Sequence, residues 1–133
     1  MSRPPAISMT FAEGRYFDLW MLVHCLGGIT GGFSNLLFGL SPARVYLIGL
    51  GLMVLWEAVE HVRGIREQFI NRVLDIVAGL GGVAFALWVS GKLDDRGRVA
   101  ALVVSGVLFG AGSLWGWLAY RRRVRDSTTT SST

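Results

Sequence analysis

Residues 99–120 read VAALVVSGVLFGAGSLWGWLAY, a run of 22 residues with no acidic, basic or histidine side chain between Arg98 and Arg121. At 1.5 Å per residue a helix of this length covers a hydrocarbon core about 30 Å thick. Working outward from it, three more apolar segments precede it, at about 17–40, 43–62 and 68–90. They are interrupted by His24, Glu57 and Asp75. The expectation is an all-α integral membrane bundle of four transmembrane helices occupying 17–120. A short N-terminal segment, 1–16, precedes it, and a basic then Ser/Thr-rich tail, RRRVRDSTTTSST at 121–133, follows.

The composition agrees with that reading. Hydrophobic residues make up 52% of the 133 and charged residues 17%, with a mean hydropathy of +0.49, too few charges to coat a soluble domain of this size. The 18 glycines follow no triplet and Cys25 is the sole cysteine, which excludes collagen and an intramolecular disulfide scaffold. A net charge of +4 raises nucleic acid as a partner. The basic residues flank apolar segments instead of lining one face, so membrane lipids are the expected counterions and nucleic acid is not.

Four spans put both termini on one side. Nine Lys/Arg residues then fall on the terminal side and four on the other, and the positive-inside rule predicts N-in/C-in. The first 16 residues lack the short apolar core and small-residue cleavage site of a secretory signal, and read as a cytoplasmic segment. The tail is too polar to fold alone. Tyr16, Trp20, Tyr46, Trp88, Trp117 and Tyr120 stand near segment ends, where interfacial aromatics belong.

In lipid, close approach through small residues holds helices together. Gly27 and Gly31, Gly28 and Gly32, Gly106 and Gly110, and Gly112 and Gly116 all have small-xxx-small spacing. That spacing serves packing within one bundle or the face of a homo-oligomer, and does not choose between them.

Polar residues share these faces. WEAVEH places Glu57, Glu60 and His61 at i, i+3 and i+4. Asn71, Asp75, Gly79 and Gly82 form one stripe, and His24, Gly28, Gly31 and Asn35 another. Counted from flanking charges, His24, Glu57 and Asp75 lie about 9 to 13 Å inside the cytoplasmic boundary at 1.5 Å per residue. Charged groups at that depth face the bundle interior or a wet cavity and pair with one another. Glu60, His61 and Arg63 lie nearer the interface, where water can solvate them.

Three classes of function fit these residues. In the first, His24, Glu57, Glu60, Asn71 and Asp75 line a pocket for a lipid head group or other small ligand. Arg63, Arg66 and Arg72 stand at its mouth, where guanidinium groups hold phosphate by charge-assisted hydrogen bonds. In the second, His24, Glu57, His61 and Asp75 hold a divalent metal such as zinc, manganese or iron in a membrane enzyme. Neither HExxH nor paired ExxH is present to support it. In the third, the acids and arginines are structural pairs in a subunit of a membrane assembly. No GxSxG or Walker A motif occurs.

The run LWEAVEH at 55–61, followed after a short basic loop by NRVLDIVAGLGG at 71–82, resembles the VanZ-like superfamily and the related YjdF-like group of small polytopic membrane proteins. VHCLGG at 23–28 looks like the H-x-x-G of the YjdF-like first helix. The resemblance spans about 17–87 and implies motif roles for Glu57, Glu60, Asp75, Gly79 and Gly82. It also implies a cell-envelope setting, in the cytoplasmic membrane of a bacterium. The chain departs from the pattern in having a single aspartate, Asp75, where many relatives have a pair, and Ala78 or Gly79 where many have Asn.

Overall fold

The structure is a computed structural model that describes residues 6–11, 16–62 and 69–130. Four helices follow one another: α1 (Leu19–Phe38), α2 (Pro42–Val62), α3 (Phe69–Ser90) and α4 (Asp95–Thr130). Their ends are set by local chemistry. Asp18 caps α1, its Oδ1 accepting the N–H groups of Trp20 at 2.9 Å and Met21 at 3.3 Å. Gly39 ends α1 in the left-handed region at φ 61°, where a residue without Cβ sits at no steric cost. Pro42 then opens α2 at the position where its missing N–H is not needed. Asp94 starts α4 by accepting the Gly97 N–H at 2.8 Å.

α1 and α3 form the central pair, with α4 laid on α1 and α2 on α3. Glycine makes the central contact. A Cβ on Gly28 would run into the carbonyl of Gly79, one on Gly82 into the carbonyl of Cys25, and one on Gly32 would lie 2.6 Å from Ala86 Cβ. The two backbones therefore touch, as small-residue packing in lipid requires. Met53 of α2 lies over Gly79 of α3, while Gly112 and Gly116 of α4 receive Val23 and Trp20 of α1. Of the small-residue pairs, Gly28 with Gly32 and Gly112 with Gly116 are used inside the bundle. Gly31 and Gly110 meet nothing within 4 Å.

All four helices are long and apolar enough to cross a membrane, and together they mark a multi-pass membrane protein. Their outer faces are apolar: Leu47, Leu52, Leu55, Val104, Val107 and Trp115 are all exposed. Thr30 and Ser105, within the spans, bond their own helix, Thr30 donating to the Leu26 carbonyl at 2.9 Å and Ser105 to that of Leu102 at 3.1 Å, which satisfies these hydroxyls without water. At the segment ends Lys92 lies over the Trp88 ring and Arg121 over that of Trp117.

One expected helix boundary moves. α4 does not stop at Tyr120 but runs on to Thr130, because extending an existing helix avoids the nucleation penalty and 121–125 contain neither Gly nor Pro. Residues 6–11, ahead of the first span, fold back beside the start of α1. Ser8 donates its N–H to the Phe17 carbonyl at 2.8 Å, and Leu19 donates to Thr10 at 3.3 Å. Phe11 is buried, edge-on to Trp20 with ring centres 5.2 Å apart, and its carbonyl accepts from Arg123.

Candidate functional site

The site grows from the first turns of α1 and α3 and the last turns of α2. His24 lies one and a half turns into α1. Its Nδ1 is 2.9 Å from the Trp20 carbonyl oxygen, and since a carbonyl only accepts, Nδ1 carries the hydrogen. That fixes the tautomer and leaves Nε2 as the atom presented to α2. Glu57 Oε1 stands 3.8 Å from Nε2, and Asp75 Oδ1 of α3 stands 3.9 Å from Nδ1. Arg72, one turn before Asp75 on α3, brings Nε to 3.8 Å from Glu57 Oε2.

Below this triad is a fully enclosed layer. Asn71 Nδ2 donates to Asp18 Oδ2 at 3.2 Å and to Asp75 Oδ2 at 3.4 Å, and Asp18, Asn71 and Asp75 are each 0% exposed. One amide thereby joins the cap of α1 to the acid of α3. The outer layer is more open: the Glu57 side chain is 9% exposed and that of Arg72 23%. The cluster combines three carboxylates, from Asp18, Glu57 and Asp75, with one guanidinium and one imidazole. It favours ligand groups that donate hydrogen bonds or carry positive charge, and Arg72 supplies an anion-binding edge. The 3.8 to 3.9 Å separations within the cluster make these ion-pair contacts and not direct hydrogen bonds.

The structure thus brings His24, Glu57, Asn71, Asp75 and Arg72 together from three helices. It does not gather all the residues singled out from spacing. Glu60 is half-buried and accepts the Trp56 Nε1–H at 2.8 Å along its own helix. His61 lies in the last turn of α2 and is exposed. Arg63 and Arg66 lie outside the described residues. Asn35, on the stripe of His24 but near the other end of α1, clamps the α1–α2 turn, donating to the Leu40 carbonyl at 3.0 Å and accepting the Leu40 N–H at 2.7 Å.

The metal set of His24, Glu57, His61 and Asp75 does not assemble. Among the described residues no three His, Cys, Asp or Glu side chains are grouped so as to hold a metal ion. The two acids meet opposite nitrogens of His24, and one of these is committed to Trp20. Conversely, Asp18 was not expected. It stands at the edge of the apolar run and reads as a boundary residue, although an Asp just before such a run is itself an N-cap signal.

Comparison with protein-family models, with curated proteins and with solved structures finds no match to this chain. Class is therefore defined by the fold alone: a helical multi-pass membrane protein with a polar cluster enclosed by three of its spans.

Proposed function

We propose that this chain is a VanZ-like membrane protein, oriented with both termini in the cytoplasm, that binds a phospholipid head group through the His24, Glu57 and Asp75 cluster near the cytoplasmic leaflet. One observation carries the proposal. Acids from α2 and α3 converge within 4 Å of one imidazole from α1, inside helices long and apolar enough to span a membrane. Placing ionisable groups there is costly, and such groups in membrane spans mark sites that meet polar ligands or protons. An amine or hydroxyl of the head group would donate to Glu57 beside His24 Nε2. The phosphate would meet Arg72. Asp18 and Asn71, fully enclosed, hold Asp75 in place and do not touch the ligand.

Native mass spectrometry of the detergent-purified protein tests this. Wild-type protein should retain phospholipid, and Glu57→Gln and Arg72→Gln should lower retention about tenfold, the equivalent of one charge-assisted hydrogen bond. Asp75→Asn keeps size and hydrogen bonding and should be produced at normal abundance. Arg121→Gln, which stacks on Trp117 away from the cluster, serves as the comparison. Equal retention by wild type, Glu57→Gln and Arg72→Gln would remove the head-group reading and leave the acids as structural pairs.

A further inference from the structure

α1 and α2 are consecutive and antiparallel, yet they scarcely touch each other. Between them runs a cleft of about 380 Å³, bordered by Gly27, Gly31 and Phe38 on α1 and by Val45, Gly49 and Met53 on α2, with Val83 of α3 at its floor. From Gly27 to Phe38 the cleft extends about 16 Å at 1.5 Å per residue.

The lining suits hydrocarbon. Its two polar members are satisfied within their own helix and turn: Ser34 Oγ donates to the Gly31 carbonyl at 2.7 Å, and Asn35 is held by Leu40. One end of the cleft meets the polar cluster, since Met53 lies one turn before Glu57 and Gly28 one turn after His24. A ligand that fills both has a polar head and an apolar chain joined in line.

We infer that the α1–α2 cleft is a binding site for a single acyl chain of the membrane lipid whose head group occupies the His24–Glu57–Arg72 cluster. This inference rests on the head-group reading and assigns the rest of the ligand. Continuity with the polar cluster decides against a second copy of the chain, because an apolar helix face has no group to offer His24, Glu57 and Arg72. Gly31 offers the means to close it: a Cβ there meets nothing within 4 Å, so Gly31→Leu projects into the cleft without disturbing the helix pair.

The test is photolabelling in vesicles of phosphatidylethanolamine and phosphatidylglycerol, with a trace of phosphatidylethanolamine bearing a diazirine midway along one acyl chain. In wild-type protein the label should map to Gly27–Phe38 and Val45–Met53. Gly31→Leu should abolish it there. Gly110→Leu, whose site also meets nothing within 4 Å and lies on α4, should leave it intact. Label spread evenly over the exposed faces of α2 and α4 would overturn the inference, as would labelling unchanged by Gly31→Leu or a chain-to-chain dimer that excludes the lipid. The two readings fail separately. Cleft labelling untouched by Glu57→Gln counts against the head-group site alone, whereas labelling untouched by Gly31→Leu overturns the cleft whatever Glu57→Gln does.

Discussion

Asp18 serves two ends of the fold with its two oxygens. Oδ1 caps α1 and Oδ2 accepts from Asn71, which reaches on to Asp75. Asp18→Ala removes the cap and leaves a buried amide hydrogen without its acceptor, a loss of about 1 to 3 kcal/mol. Thermal unfolding in detergent should show a clear fall in melting temperature. Asp18→Asn keeps one oxygen for the cap but sets an NH2 donor against the Asn71 amide, and should recover only the part of that fall that belongs to the cap. At this scale spacing found much of the cluster, because His24, Glu57 and Asp75 each interrupt an apolar run at similar depth. It missed Asp18, whose burial depends on the N-terminal segment folding back beside Phe17 and α1. It left open what Asn35 does: the residue stays on the α1 stripe, and its bonds to Leu40 depend on the turn that Gly39 makes at the helix end.

The helix pair α1–α3 is governed by glycines that face backbone. Gly28→Ala and Gly82→Ala each drive a methyl group into a carbonyl of the opposing helix. A backbone cannot swing aside as a side chain does, so each should destabilise the protein by about 1 to 3 kcal/mol or more. Gly81→Ala and Gly110→Ala meet nothing within 4 Å and should be neutral or stabilising by about 0.5 to 1 kcal/mol, the helix preference of Ala over Gly. Unfolding midpoints in mixed micelles, measured for all four variants, check the contrast. If all four shift alike, backbone contact is not what joins the two helices. The spans themselves were legible because lipid solvent imposes a length and a composition on each helix. Which glycine faces which neighbour was not, because Gly28 and Gly31 share a stripe in sequence while one meets α3 and the other opens onto the cleft.

For the whole molecule, the proposed orientation follows from the excess of Lys and Arg on the terminal side. A C-terminal alkaline phosphatase fusion should be inactive and a C-terminal fluorescent fusion bright. The opposite pair of results would place the polar cluster at the other leaflet. The flanks of the molecule differ from its centre: α2 and α4 are only 11% buried along their spans, against 28% for α1 and α3. The outer helices therefore rely on the bilayer as much as on their neighbours. Biosynthesis inherits a consequence from the central pairing. α1 and α3 are separated by the whole of α2, against which α1 hardly packs, so the first two spans emerging from the ribosome have nothing to lock onto. Assembly waits for the third, and a nascent chain paused after Val62 would sit in the bilayer as two loose hydrophobic rods, open to quality-control proteases until α3 arrives to close them together.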